Sequence, residues 1–199
     1  MHKALKLLIT LTLLYIAYIA CTYSFANLAF KQAEKSLISW QNTEVITNTE
    51  QYDKALTNAT NAINWHINPQ YLEAKAQILE WGVRTNIETN KQQTLTEAKN
   101  LYIQSTQLRP TWPGTWAALA LVKWHLGEYD EQMQQYLLNA HIFGKNTKQV
   151  HIIWSELGKA LHNSENPAHK ALIAPYLDVV DYHTQHVKLK THAKPRQPI

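Results

Sequence analysis

Histidine is the residue type with most potential for chemistry in this chain, which carries ten histidines among 199 residues. His183 and His186 stand one helical turn apart, with Asp181 before them and His192 after them. Two imidazoles at this spacing can bind Zn²⁺ or Cu²⁺. The competing interpretation is a polar helix end that leads into a loose tail. The sequence favours this second interpretation, so we predict no metal site and no cofactor.

Paired carboxylates are the other groups that could catalyse a reaction. The pairs Asp130-Glu131 and Asp178/Asp181 have spacings that are ordinary for exposed helix faces. The sequence has no phosphate-binding loop, no nucleophile elbow and no His-Glu-x-x-His helix. A catalytic site needs titratable groups that converge, and no pattern indicates one. We therefore predict that the protein is not an enzyme.

Two tryptophans flank a Pro-Gly dipeptide and could form a stacking platform for a sugar or a Pro-rich peptide. We expect Trp116 to lie in the core, whereas Trp112 lies on a turn and is the better binding candidate. Arg109 beside it could pair with an acidic group. His125 and His141 are expected on surface or groove faces of helices. The candidate binding surface therefore consists of Arg109, Trp112, His125 and His141.

The elements that would position these residues begin with an apolar segment. No charged side chain occurs between Leu7 and Phe30, and Lys3 and Lys6 precede this stretch. A helix of this length crosses a hydrocarbon core of about 30 Å. The positive-inside bias would keep the N-terminus in the cytoplasm. We predict that residues 1–30 form a single-pass anchor in a bacterial inner membrane, with the rest of the chain in the periplasm.

Two alternatives to a retained anchor stay open. Ser24-Phe25-Ala26 offers small residues to a signal peptidase, which would cleave after Ala26. Cys21 could be a lipidation site, although Tyr18 is a poor residue three positions before such a cysteine. Because Cys21 is the only cysteine, the exported part has no disulfide.

The net charge of +4 belongs to the ends of the chain. Lys3 and Lys6 contribute +2, and the tail from Lys188 contributes +4 with no acid, so the part between them carries −2. A nucleic-acid binder would carry a basic face on its folded part, and we exclude that function class. Residues 188–199 are predicted to form a basic disordered tail.

Residues 31–187 are predicted to be all helical. Apolar residues recur at steps of three and four, and Pro175 should kink or split the last helix. We expect Thr115 to cap a helix and Asn68-Pro69 to stop one. Residues 27 to about 42 are predicted to continue the membrane helix or to form a helix that follows it after a bend. Further helices are predicted over residues 50–64, 71–81, 94–108, 115–126, 129–143, 150–162 and 168–186, with a loop at 85–93.

One stretch resembles the tetratricopeptide repeat, in which small residues let helices approach and large aromatic residues fill the gaps. Gln132 and Asn139 depart from its pattern. The resemblance implies an all-α fold in which the N-terminal transmembrane helix is followed by a tetratricopeptide-like stack of helical hairpins. It is carried by Ala98, Tyr102, Ser105, Pro110, Trp116, Leu119, Ala120, Gly127, Tyr129 and Tyr136.

A wider resemblance covers nearly the whole chain. Residues 108–116, continuing through 124–130 to 140–144, are similar to small bacterial proteins of the VpsP type, which are encoded with exopolysaccharide biosynthesis genes. The resemblance implies an accessory role in making or exporting a surface polysaccharide and brings no catalytic motif. We expect a scaffold that binds envelope proteins of polysaccharide polymerisation or export. The alternatives are a direct glycan-binding module and a scaffold for pilus or cytochrome assembly.

Overall fold

The computed structural model describes the backbone of residues 2–192 and the side chains of residues 3–187. Within that range every regular element is a helix, so the all-α prediction is confirmed. A short 3-10 helix, Ala174–Tyr176, follows α8. The α-helices are α1 (His2–Thr43), α2 (Thr49–Trp65), α3 (Pro69–Arg84), α4 (Lys91–Leu108), α5 (Pro113–Leu126), α6 (Glu131–Gly144), α7 (Lys148–His162), α8 (Pro167–Ile173) and α9 (Leu177–His192).

Short polar side chains open several helices. The Oδ1 atom of Asn48 accepts a hydrogen bond from the backbone N–H of Gln51 at the start of α2. At the start of α6, Oδ1 of Asp130 accepts one from Met133. Each bond satisfies a backbone N–H group that has no partner within its own helix.

Proline is the first residue of two helices whose boundaries differ from those predicted from the sequence. Pro69 was expected to stop the preceding helix, but α2 ends at Trp65 and Pro69 is the first residue of α3. Pro113 is the first residue of α5, so the prediction that Thr115 caps this helix is wrong, and the Thr115 side chain is buried. The missing N–H of proline costs nothing in the first helical turn.

The last predicted helix divides at proline, as expected. Pro175 lies in the 3-10 helix between α8 and α9, because proline cannot donate the hydrogen bond that a continuous helix needs. Helix α9 continues through His192 and so includes the first five residues of the predicted tail. The remainder of that tail, residues 193–199, lies outside the described residues.

The helices form two compact units, which divide between Thr94 and Leu95. In the first unit, α1 packs against both α2 and α3. Buried side chains recur on one face of α1 at helical spacing, and they meet aromatic and small residues of the other two helices. This core includes Ala26, Phe30, Ala33, Leu37, Trp40, Tyr52, Ala55, Ala59, Ala62, Tyr71, Ala74 and Ile78.

In the second unit, α5 packs against α6 and α7, and α7 packs against α8 and α9. Helices α7 and α9 approach closely at Gly158, where an added Cβ would lie 2.5 Å from Cγ2 of Val180. Trp154 is fully buried, and its Nε1–H donates to the Leu137 carbonyl at 2.8 Å. These contacts bring the last turns of α6, the start of α7 and the middle of α9 together around one buried region.

Candidate functional site

Three histidines from three helices meet inside the second unit. Nδ1 of His141 in α6 lies 2.9 Å from Nε2 of His183 in α9. Nδ1 of His151 in α7 lies 2.7 Å from the other ring nitrogen of His183, Nδ1. His151 and His183 are buried and His141 is half-buried. We call these three residues the histidine cluster.

Aromatic rings surround the histidine cluster. The Trp154 ring stacks on His183 with centroids 5.7 Å apart, and the His186 ring stacks on His151 at 4.9 Å. Tyr182 contacts the cluster as well, and its hydroxyl donates to Oδ1 of Asn146 at 2.9 Å. Flat apolar faces exclude water from the central imidazole, which makes an added charge there costly.

This environment keeps the central imidazole neutral. Burial lowers the pKa of His183 to about 3, and the charges that His141, His151 and His186 would carry when protonated act in the same direction. Burial and the nearby Lys145 lower the pKa of His141 as well, while Asp178 opposes the change. The dominant cause for both groups is loss of hydration of the charged form.

A neutral histidine has one N–H donor and one acceptor nitrogen. His183 can therefore donate to one neighbour and accept from the other. Reversing these roles moves a proton along both hydrogen bonds and also requires one outer ring to release a proton at its other nitrogen while the other outer ring gains one. The histidine cluster can thus hold α6, α7 and α9 together through two hydrogen bonds between neutral rings.

The same geometry does not suit a single metal ion. The two ring nitrogens of His183 face different neighbours, and the N···N distances are shorter than the roughly 3.3 Å between ligands 2.0–2.1 Å from a tetrahedral metal. His186 directs its Nδ1 to the Tyr182 carbonyl at 2.8 Å. Among the described residues, no group of three or more His, Cys, Asp or Glu side chains is arranged to hold a metal.

A second cluster of titratable groups lies at the turn between α5 and α6. Nζ of Lys123, which is 2% exposed, lies 2.9 Å from oxygen atoms of Glu128, Asp130 and Gln132. Nζ of Lys99 lies 2.7 Å from Glu128. Burial lowers the pKa of Lys123, but the hydrogen bonds that its ammonium donates to Asp130 and Glu128, and their negative charges, outweigh burial and raise the pKa above the usual value. Two lysines balance two carboxylates, which makes this a structural ion network.

The four residues of the predicted binding surface do not form one site. The guanidinium of Arg109 lies 4.2 Å from the centroid of the Trp112 ring, so these two are together. His125 is exposed near the opposite end of α5, about 19 Å along the helix from Trp112. His141 instead belongs to the histidine cluster. Trp116 is half-buried, and its Nε1–H donates to the Pro110 carbonyl at 2.7 Å.

The histidine cluster, the principal feature of the site, was not predicted from the sequence. The interpretation of His183 as part of a polar helix end is wrong, because its side chain is fully buried. His151 was not singled out, although it shares a buried face of α7 with Trp154, Ser155 and Gly158 at helical spacing. That spacing is the signal that could have identified it. Asp178 and Asp181 are exposed, in agreement with their interpretation as surface carboxylates.

Neither a protein-family model nor a curated protein sequence matches this chain. The proposal of a function therefore rests on the sequence and on the geometry of the structure.

Proposed function

We propose that the protein is a membrane-anchored helical scaffold that acts by binding other proteins in the synthesis or export of an exopolysaccharide. The observation that carries this proposal is the continuity of α1. The same helix contains the apolar segment and, from Ala26 to Trp40, contributes one face to the core of the first unit. Within the described residues, α1 is the helix long and apolar enough to span a membrane.

The packing of α1 supports a retained anchor over a cleaved leader. The peptide bond after Ala26 lies in the middle of the helix, and the Ala26 side chain is fully buried against the other helices of the unit. A protease that needs extended substrate cannot reach a bond in packed helical backbone without unfolding it. With a retained anchor, we propose a cytoplasmic N-terminus and helical units in the periplasm, because Lys3 and Lys6 precede the apolar segment.

A tetratricopeptide-like stack is the finer description that we propose for the repeat region. The small residues of the repeat pattern, Ala98, Ser105 and Ala120, are fully buried. The Trp116 and Tyr136 rings, whose centroids lie 5.7 Å apart, connect α5 to α6. Stacked helical hairpins present extended surfaces, and such surfaces suit protein binding rather than turnover.

Four exposed apolar side chains lie near the end of α6 or just before the start of α5, and these two segments approach each other at Gly144 and Pro113. We treat the four side chains as one surface. The surface side chains belong to residues 108–116 and 140–144, which are similar to the VpsP-type proteins. We propose this surface, which we call the apolar end surface, as the contact for a polymerisation or export protein. It consists of Leu108, Trp112, Ile142 and Phe143, each between 43% and 67% exposed.

The proposal is tested by crosslinking the full-length protein in its own cells and identifying what is recovered from the membrane fraction. We expect polysaccharide polymerase, chain-length regulator or export components. The double variant Trp112→Ala/Phe143→Ala should lose them, while Ile38→Ala, at an exposed position of the first unit, should retain them. Recovery of pilus or cytochrome assembly proteins instead would reject the polysaccharide assignment and leave the anchored scaffold intact.

Direct glycan binding is a second candidate, favoured by the stacking of Arg109 on the half-exposed Trp112. An aromatic face beside a guanidinium suits a sugar that bears a carboxylate. Affinity electrophoresis of the protein in a gel that contains an acidic polysaccharide tests this function. Retardation that is lost in Trp112→Ala and kept in Ile38→Ala would support it, and unretarded migration would reject it.

A further inference from the structure

The turn between α2 and α3 lies beside the apolar segment of α1. The Trp65 ring is 5.4 Å from Phe25, and the His66 ring is 4.2 Å from Tyr23. Ile19 and Thr22 of α1 are part-buried, so the contact extends into the uncharged stretch. The folded first unit therefore overlaps with the segment that would lie in the bilayer.

This turn exposes two large apolar side chains and contains no Asp, Glu, Lys or Arg. Trp65 is 51% exposed and Ile67 is 61% exposed. No Asp, Glu, Lys or Arg occurs between Lys54 and Glu73, a range that includes most of α2 and the start of α3. An exposed tryptophan and isoleucine without neighbouring charges are unfavourable in water and favourable at a lipid surface.

The position of Phe25 along α1 sets the depth of the α2–α3 turn in a bilayer that α1 spans. The helical rise places Phe25 about 28 Å from Lys6, the last charged residue before the apolar stretch. A hydrocarbon core of about 30 Å that begins near Lys6 therefore ends near Phe25. Because Trp65 lies against Phe25, in such a bilayer it would lie at the level of the headgroups, where tryptophan and tyrosine are enriched in membrane proteins.

We propose that residues 64–68 insert into the outer headgroup region of the bilayer that α1 spans, as a second membrane contact of the first unit. This inference rests on the proposed membrane anchor. Lipid is the occupant that the observations favour, because the turn continues the uncharged surface of α1 at the depth where that surface leaves the hydrocarbon core. The α1 span and the inserted turn together fix the rotation of the first unit about the α1 axis. The same face of that unit therefore always points away from the membrane.

Spin labels at three single cysteines test the inference in full-length protein reconstituted into phosphatidylethanolamine/phosphatidylglycerol vesicles, with Cys21→Ser as background. Ile67→Cys reports on the turn, and Leu14→Cys reports on the span. Gln51→Cys is the matched control, since it is exposed at the other end of α2, about 21 Å along the helix from Trp65. The measurement compares collision of each label with oxygen, which concentrates in lipid, and with a water-soluble nickel chelate.

We expect the Leu14 label to be accessible to oxygen only, the Gln51 label to the nickel chelate, and the Ile67 label to have an oxygen-to-nickel ratio between these two. A ratio at Ile67 equal to that at Gln51, with Leu14 in lipid, would overturn the inference and leave the anchor standing. In that case the exposed turn would fit a protein partner instead. A Leu14 label accessible to the nickel chelate would overturn the membrane anchor itself.

Discussion

Nδ1 of His151 lies 2.7 Å from Nδ1 of His183, within the interface between α7 and α9 where both side chains are buried. One of these nitrogens must carry a proton and the other must not. His183 makes a second such contact with His141. Because burial disfavours a charge on His183, the arrangement of α6, α7 and α9 is most stable while this imidazole is neutral.

Stability should fall as pH falls through the range in which free histidine titrates. The pKa of His183 is lowered from 6.5 to about 3 in the folded protein. Below about pH 6.5 the unfolded chain therefore binds a proton at this residue that the folded protein does not. His141, whose pKa is also lowered, acts in the same direction. Each such proton removes up to about 1.4 kcal/mol of stability per pH unit.

The measurement is the free energy of unfolding in urea between about pH 7 and pH 5, where most carboxylates keep their charge. The variant His183→Gln should show a smaller slope against pH, because the titrating group is gone. His162→Gln, at an exposed histidine of α7, is the control and should keep the slope of the unmodified protein. An equal slope in His183→Gln and the unmodified protein would contradict the role of the histidine cluster.

Replacing the buried lysine of the ion network should destabilise the second unit. Lys123→Met keeps most of the side-chain volume but leaves Glu128 and Asp130 without their buried cation. The expected loss is about 1–3 kcal/mol, below the 3–5 kcal/mol typical of a broken buried pair, because both carboxylates retain some contact with water. Urea unfolding measures the loss. Lys159→Met, at an exposed position of α7, should change stability by less than about 0.5 kcal/mol, and equal effects of the two variants would refute the prediction.

An alanine at Gly82 should force α2 and α3 apart. Its Cβ would lie 2.6 Å from the hydroxyl oxygen of Tyr52 and 2.7 Å from ring carbons. The Tyr52 side chain is 1% exposed and its hydroxyl donates to Glu88 at 2.7 Å, so it cannot move aside cheaply. Overpacking costs about 1–3 kcal/mol of stability. Replacing glycine by alanine inside a helix gains about 1 kcal/mol in helix propensity, so we expect a net loss of stability.

The expected result for Gly82→Ala is a lower midpoint in urea unfolding of the full-length protein in detergent. Gln70→Ala, at an exposed position of the same helix, adds an alanine without a close contact and serves as control. A Gly82→Ala protein as stable as the control would show that Tyr52 moves aside at little cost.

The protein recovered from the membrane should retain its N-terminal segment. Cleavage after Ala26 would divide α1 and remove the Tyr23 and Phe25 contacts to the α2–α3 turn. Intact mass spectrometry of the membrane fraction should give the full chain of 23.0 kDa, apart from N-terminal methionine processing. A mature chain that begins at Asn27 would contradict this prediction, and an added lipid mass with a new terminus at Cys21 would support the lipidation alternative instead.

Local signals in the sequence predicted the helices well. The three- and four-residue spacing of apolar side chains, together with proline at 69, 110 and 175 and Gly127, separated most helices at nearly the observed positions. Gly127 ends α5 with a φ of 72°, a conformation that glycine adopts without strain. These features depend on backbone preferences within a few residues, which is why sequence alone reports them.

Longer-range relationships were not predictable in the same way. His141, His151 and His183 are separated by many residues and lie on three helices, and periodicity does not say which polar side chains meet when helices pack. The burial of Lys123 was not predictable either. This lysine occupies a helical core position, where its ammonium donates hydrogen bonds to Glu128, Asp130 and Gln132 beyond the turn. Tetratricopeptide-like stacking and the role in polysaccharide export stay predictions.

The sequence by itself therefore determined an all-helical chain with an uncharged N-terminal stretch long enough to span a membrane, because composition and periodicity act locally along the chain. Only the tertiary structure decided that α1 runs as one helix from that stretch into the core, that Trp65 lies against Phe25, and that three histidines share hydrogen bonds. Those outcomes depend on which helix faces pack together, and packing is set by the shapes of whole helices rather than by any single segment.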